Sequence, residues 1–170
     1  MHTMRHSTNT KIRWCGGILI GLLLTPLCCY AQTSERRLLE ELNELRSEGC
    51  MCGQQQEKPV GKLKWDAQLA GVAYDYAVHL YHQSQQNPDH QHVYLSHVSS
   101  DGSTLQDRLE AVEYYAKVAV ENIAYITGNE EMVIDYWLNN PTSCSTLMNR
   151  KVSRMGSGHH RGFWVLILAK

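Results

Sequence analysis

A histidine and a glutamate that could act together stand near the two ends of one stretch, residues 96–126. His97 opens this stretch, and Glu121 lies just before the apolar run that closes it. Imidazole and carboxylate groups transfer protons, hydrogen-bond one another and bind divalent metal ions. Two donors do not complete a zinc site, which needs three or four. The pair is therefore informative only if the intervening chain brings its members together.

The chain between these two residues is predicted to run out and back. Asp101-Gly102 marks a turn, and Ser103 stands three residues before Gln106, the spacing of a reciprocal capping box. The helix that starts there is expected to end near Tyr115. A turn, a helix and a returning strand would place the glutamate beside the histidine.

Three further helices are predicted from apolar residues at helical spacing and from residues suited to cap a first turn. Their caps are Ser34, Asp66 and Asn129. Residues 53–62 hold Gly, Pro, Gln and Lys without periodicity, and we predict a loop there. These helices are the elements that would surround a core.

Two late strands are predicted over residues 155–159 and 163–168, around a turn at Arg161-Gly162. The second is almost entirely apolar, which is typical of a strand covered on both faces. Helices interspersed with such strands indicate a sheet between helical layers.

The N-terminus has the pattern of a secretory signal peptide. Residues 1–13 hold three basic and no acidic residues, and an apolar run follows over residues 16–29. The run is shorter than the ~20 apolar residues that span a bilayer. Lipid attachment at Cys28 is disfavoured by the bulky residue before it. We therefore predict a signal peptide over residues 1–31, with cleavage after Ala31.

The remaining chain is predicted to be one domain, residues 38–169, preceded by a short lead, residues 32–37. Removal of the signal leaves 13 basic and 17 acidic residues, a net charge of about −4 with neutral histidines. No basic patch is visible, which argues against a nucleic-acid partner. We expect a secreted, periplasmic or surface protein that does not span a membrane after cleavage.

Three of the six cysteines remain after cleavage: Cys50, Cys52 and Cys144. An odd number permits at most one disulfide within the chain and leaves one thiol over. A C-x-C pair with one distant cysteine is not a zinc ribbon, which needs two close pairs. The remaining thiol stays free or links two chains into a dimer.

Short motifs follow one another along most of this chain in a defined order. They are Leu42-Asn43 with Arg46, Cys52-Gly53, Leu63 with Trp65-Asp66, Ser96-His97, Asp101-Gly102, Glu121-Asn122-Ile123-Ala124, Trp137 to Pro141, Cys144, Leu147-Met148-Asn149, Met155-Gly156 and Phe163-Trp164. Their order resembles the CAP superfamily of cysteine-rich secretory proteins, antigen 5 and pathogenesis-related proteins, in its bacterial SCP-like form. The resemblance implies an α+β fold, a three-layer α-β-α sandwich with a mainly antiparallel central sheet. It also implies a disulfide between Cys52 and Cys144, with Cys50 as the spare thiol.

The resemblance further implies a central cleft, which in many relatives holds two histidines and two acids able to bind a divalent cation. His97 matches the first histidine, and Glu121 matches the acid of the Glu-Asn-Ile-Ala motif. Ser143 stands in the place of the second histidine, and Asn140 stands where relatives carry serine or an acid. A hydroxyl and an amide are poor zinc ligands. We therefore expect no cofactor, with His97 and Glu121 as weak metal candidates.

The function expected from this resemblance is binding without catalysis. The cleft of His97, Glu121, Asn140 and Ser143 would take a ligand, such as the lipids or sterols that some relatives bind, or a protein partner. A hydrolase is the first alternative, either metal-assisted or with Ser143 as nucleophile, His97 as base and Glu121 as orienting acid. A surface interaction protein with a vestigial cleft is the second.

Overall fold

The computed structural model describes residues 27–86, 93 and 95–170, with side chains from residue 34 onward. Most of the predicted signal peptide lies outside these residues, and it stays a prediction. The helices are α1 (Leu27–Glu48), α2 (Ala67–Gln85), α3 (Leu105–Glu110), α4 (Glu130–Leu138) and α5 (Pro141–Leu147). The strands are β1 (Cys50–Cys52), β2 (Gln55–Glu57), β3 (Lys64–Trp65), β4 (Ala119–Tyr125), β5 (Arg154–His160) and β6 (Phe163–Ala169).

The central sheet has four strands in the order β3-β5-β6-β4. Strand β6 pairs antiparallel with both β4 and β5, and β3 pairs parallel with β5. The hairpin β5–β6 turns through Arg161 and Gly162, both at positive φ, which suits a two-residue turn. The predicted α+β fold with a mainly antiparallel sheet is therefore confirmed, with one parallel pairing.

Strand β6 divides the core into two layers. Trp164, Leu166 and Leu168 pack with residues of α1, α4 and α5 on one face. Phe163 and the residues alternating with it pack with α2 and α3 on the other face. Every residue of β6 is buried, so its unbroken apolar run has the two-sided burial that the sequence predicted.

Helix α2 lies directly on β5 because two positions of that strand carry no side chain. A Cβ at Gly156 would overlap the α2 backbone at Leu69 and Ala70, and a Cβ at Gly158 would overlap it at Ala73 and Tyr74. The close approach of helix and strand therefore depends on these two glycines.

We expect Gly158→Ala to lower the free energy of unfolding by about 1–3 kcal/mol, because the added methyl group must push helix and strand apart. Urea unfolding measures this change. Gly71→Ala is the matched control, since its Cβ would meet nothing within 4 Å on the exposed side of α2. That control should gain about 0.5–1 kcal/mol from helix propensity. Equal stability of Gly158→Ala and the wild type would contradict the packing described.

Helix α1 begins earlier than predicted. Ser34 lies inside the helix rather than at its cap, and its hydroxyl hydrogen-bonds the carboxylate of Glu130 on α4. No Gly or Pro interrupts residues 27–48, so nothing ends the helix upstream of Ser34. The predicted lead, residues 32–37, is part of α1, and the predicted cleavage position after Ala31 also lies within it.

Arg46 is fully buried on α1 and bonds to main-chain oxygens. Its guanidinium donates to the carbonyls of Gly61, Leu147 and Asn149, at 2.9, 2.5 and 3.1 Å. Leu147 and Asn149 lie at the end of α5, where carbonyls lack helical partners and favour a positive charge. Arg46 thereby ties α1 to α5 and to the segment before β3.

The loop predicted after α1 is wrong in detail. Residues 53–62 are not entirely a loop, because Gln55–Glu57 forms β2 and pairs antiparallel with β1. Both strands are three residues long, and β2 is polar, so no apolar alternation marks the hairpin. The disulfide between Cys52 and Cys144 fixes this hairpin to α5.

The capping box of α3 lies one residue later than predicted. The Thr104 hydroxyl accepts from the Asp107 amide, while the Asp107 carboxylate accepts from the Thr104 amide at 2.8 Å. An aspartate reaches back over this distance as the predicted glutamine would. The helix ends at Glu110, before the predicted Tyr115, and Glu113 has a positive φ of 59°. The earlier end leaves residues 111–118 to lead into β4.

Candidate functional site

The segment that carries His97 is fixed to α2 by a tyrosine. Tyr76 is buried on α2, and its hydroxyl donates to the carbonyl of Ser96 at 2.7 Å. Burial raises the pKa of Tyr76, an effect that the positive charge of Arg108 opposes. The hydroxyl therefore stays protonated as a donor, and it holds the main chain next to His97 in place.

His97 and Glu121 are in direct contact. The Nδ1 atom of His97 lies 2.8 Å from Oε1 of Glu121. The Glu121 side chain is 2% exposed, whereas that of His97 is 65% exposed. The glutamate thus sits beneath the imidazole and orients it, while the rest of the ring is open to solvent. The turn, helix and strand between them return the chain as the sequence predicted.

The second carboxylate oxygen of Glu121 binds Arg108. The Nη2 atom of Arg108, on α3, lies 2.8 Å from Oε2 of Glu121, and the Arg108 side chain is 11% exposed. Each oxygen of the carboxylate is thereby held by a different nitrogen donor. These two contacts offset the negative charge of the carboxylate, which makes Glu121 a weaker metal ligand than a free carboxylate.

The guanidinium of Arg108 is itself held on several sides. It lies 3.5 Å from the centre of the Tyr76 ring, within the range of a cation–π interaction. Its Nη1 atom donates to the His97 carbonyl, the Ser99 hydroxyl and the Ser103 carbonyl, at 3.2–3.3 Å. Arg108 therefore links the strand carboxylate to α2 and to the His97 segment.

A second histidine, His79, lies next to Tyr76 on the same side of the site. His79 stacks on Tyr76, with ring centroids 5.6 Å apart and planes 12° from parallel. Its Nε2 accepts a hydrogen bond from the Ser100 amide at 3.2 Å. His79 thus fixes the loop after His97 and acts as a structural residue.

Asn140 and Ser143 make their described contacts elsewhere. Asn140 caps α5, and its Oδ1 accepts from the amides of Thr142 and Ser143 at 3.0 and 3.1 Å. The Ser143 carbonyl accepts from Asn122 at 3.0 Å. Within residues 34–86 and 95–170, no hydrogen bond joins either side chain to His97 or Glu121.

Adjacent residues of β4 explain this separation. Successive side chains of a strand point to opposite faces of its sheet. Glu121 faces α3 and binds Arg108, whereas Asn122 faces α5 and binds the main chain of Ser143. His97 therefore meets Glu121 on one face of β4, and Asn122 contacts α5 from the opposite face.

Sequence reasoning missed Arg108 and the role of Tyr76 in this site. A signal for Arg108 was present, because an acid in the otherwise uncharged strand Ala119–Tyr125 needs a positive partner when buried. Arg108 lies within the helix that the same reasoning placed between His97 and Glu121. The role of Tyr76 depends on how α2 packs, which no local pattern reveals.

Two cavities in the described part of the chain have walls that do not include His97 or Glu121. One, of about 270 Å³, is lined in part by Arg37, Glu130, His159 and Trp164. The other, of about 140 Å³, is lined in part by Tyr81 and Phe163. The described helices include none that is both long and apolar enough to cross a bilayer.

Comparison with known proteins gives a family match over most of the chain. The model of the CAP family, described as the cysteine-rich secretory protein family, matches residues 39–166. The uncharacterized membrane protein YlbC of Bacillus subtilis (strain 168) is 28% identical over 132 residues, which are 78% of this chain and 33% of YlbC. This chain therefore spans about a third of the length of that relative.

Solved structures share the fold at low identity. An extracellular protein containing an SCP domain from Bacillus anthracis superposes with a TM-score of 0.69 at 23% identity, over 86% of this chain and 44% of that one. An outer surface protein from Borrelia burgdorferi gives 0.62 at 20% identity, over 79% and 90%. A cysteine-rich secretory protein from Staphylococcus aureus gives 0.53 at 24% identity, over 79% and 38%. These similarities establish the fold alone.

Proposed function

The chain belongs to the CAP family of cysteine-rich secretory proteins, and from that membership we propose that it is an exported, non-catalytic protein that binds a partner through the surface around His97. One observation carries the proposal: both carboxylate oxygens of Glu121 are held, by His97 and by Arg108. Glu121 therefore orients the imidazole of His97, and the imidazole is the group exposed to a partner.

Export is supported by three independent features. The basic start and apolar run of residues 1–31 have the pattern of a cleaved signal. The disulfide between Cys52 and Cys144 is a bond that persists in oxidising compartments. Structural relatives are described as extracellular or as outer surface proteins.

The surface around His97 has the properties of an exposed recognition site rather than an enclosed pocket. The His97 side chain is 65% exposed and its neighbour Val98 is 45% exposed. His97 and Val98 line neither of the two cavities described. A protein partner is therefore favoured over the lipid or sterol that the family resemblance first suggested.

Site-specific photo-crosslinking tests this proposal. A benzophenone amino acid replaces Val98, beside His97, in the protein exported by its own host. The matched control carries it at Met132 on α4, which is 51% exposed on the opposite layer. We expect a discrete crosslinked product from position 98 that His97→Ala abolishes and that position 132 does not give. No product from position 98, or the same product from both positions, would reject the proposed surface.

The hydrolase alternative has a metal-assisted form and a serine form, and the serine form requires Ser143 to be an activated nucleophile. Its described hydrogen bonds are all made by main-chain atoms, to Asn140 and Asn122. We predict that a fluorophosphonate probe does not label Ser143 in the folded protein. Peptide mapping after probe treatment measures this, with a known serine hydrolase as the positive control. Labelling of Ser143 that disappears in His97→Ala would establish the hydrolase instead.

A further inference from the structure

Three sulfur atoms meet where the β1–β2 hairpin packs on α5. Cys50 and Cys52 lie two residues apart on β1, so both side chains point to the same face, and Cys144 faces them from α5. Cys52 and Cys144 form the disulfide, and Cys50 is the free thiol. The Cys50 sulfur is 3.7 Å from that of Cys144 and 3.9 Å from that of Cys52.

We propose that these three cysteines form a thiol–disulfide exchange site, in which Cys144 bonds alternately to Cys52 and to Cys50. The Cys50 thiol loses its proton to solvent, and its thiolate attacks the sulfur of Cys144. The Cys50–Cys144 bond forms, the Cys52–Cys144 bond breaks, and Cys52 leaves as a thiolate that takes up a proton. One disulfide and one thiol are present before and after, so no external oxidant or reductant is needed.

Geometry selects Cys144 as the shared partner. Residues two apart on a strand have Cα atoms about 6.6 Å apart, near the upper limit for a disulfide, which disfavours a Cys50–Cys52 bond. The Cα atoms of Cys52 and Cys144 are 5.4 Å apart, a usual disulfide separation. Cys50 reaches the same sulfur from the next same-face position of β1. Either bond joins the hairpin to α5.

The exchange is expected to be slow and to accelerate with pH. Thiolate attack proceeds along the extension of the breaking bond, and Cys50 lies beside that bond, because its two sulfur distances are nearly equal. Burial raises the pKa of Cys50, and the charge of Glu57, its partner across the hairpin, raises it further. A raised pKa leaves little thiolate at neutral pH, so uncatalysed exchange should take minutes to hours.

Isomer mapping tests the proposal on the oxidised exported protein, from which Cys15, Cys28 and Cys29 have been removed with the signal peptide. The protein is oxidised and kept at acid pH, which suspends exchange, and it is then shifted to neutral or mildly alkaline pH. Samples are quenched with acid, denatured, and labelled with N-ethylmaleimide. Cyanogen bromide then cleaves after Met51, which separates Cys50 from Cys52 for mass spectrometry. We expect label on both cysteines, with the Cys52 share approaching its plateau several-fold faster at the higher pH. The rate should not depend on protein concentration.

Two variants provide the controls. Cys50→Ser should take up no label, because its only two remaining cysteines are bonded. Cys52→Ser should also take up none, because Cys50 replaces the missing partner of Cys144. Label confined to Cys50 in the wild type at both pH values would overturn the proposal. A rate proportional to protein concentration, or two labelled thiols in folded Cys52→Ser, would overturn it as well.

Discussion

Replacing Glu121 with glutamine is expected to lower the free energy of unfolding by about 3–4 kcal/mol. The Glu121 side chain is 2% exposed and that of Arg108 is 11% exposed, so the substitution leaves a nearly buried guanidinium without its counter-charge. Removing one partner of a buried ion pair is strongly destabilising, because the remaining charge has already lost its water. The Tyr76 ring and three oxygens still contact Arg108, which places the effect at the lower end of the usual range.

Urea unfolding of single and double variants separates the parts of this effect. His97→Ala is the control, because a 65% exposed imidazole contributes less than about 1 kcal/mol to an ion pair. The double variant Glu121→Gln with Arg108→Met no longer holds an unpaired buried charge. Its loss in the free energy of unfolding should therefore be smaller than the sum of the two single losses. Two outcomes would show that the pair of Arg108 and Glu121 does not stabilise the site. One is additive losses in the free energy of unfolding, and the other is a loss in Glu121→Gln no larger than that in His97→Ala.

Loss of the disulfide is expected to lower the free energy of unfolding by ~4–5 kcal/mol in the chain-entropy model. The bond between Cys52 and Cys144 closes a loop of 92 residues, which contains α2, α3 and β4. It also fixes the β1–β2 hairpin, which is too short to be stable alone, against α5. The model gives an upper estimate, because compact structure in the unfolded chain reduces the entropy that a cross-link removes.

Oxidised and reduced forms of the wild type, together with two variants, measure the cross-link. The difference between oxidised and reduced wild type gives the contribution of the bond, and reduced Cys144→Ala reports how much the buried sulfur contributes by packing. Oxidised Cys52→Ser should keep most of the stability, because Cys50 can bond to Cys144 in its place. A wild type whose urea midpoint is unchanged by a reductant would show that the cross-link does not stabilise the fold.

Local signals predicted the framework of this fold. Asp66 and Asn129 cap α2 and α4 as expected, because capping depends only on the residue and the three that follow it. The apolar run of β6 predicted burial on both faces, because an unbroken apolar run is also a local pattern. The out-and-back course from His97 to Glu121 was also predictable, since a turn, one short helix and a strand lie between them.

Other features depended on contacts that local patterns do not contain. The polar strand β2 has no apolar alternation, and its pairing with β1 comes from the backbone. Two overlapping capping boxes fit the start of α3, and their spacing alone does not decide between them. Arg46 has no carboxylate partner among the described residues, and its three carbonyls come from segments far apart in the sequence. Arg108 also packs on the Tyr76 ring of α2, a contact that no local pattern contains.

Zinc titration calorimetry of the oxidised, untagged protein tests the central claim most directly. The claim is that His97 and Arg108 hold both carboxylate oxygens of Glu121, which leaves an oriented imidazole in place of a cation site. We predict no stoichiometric zinc binding at micromolar concentrations. Binding of one zinc ion per chain in that range, abolished by His97→Ala, would contradict the claim.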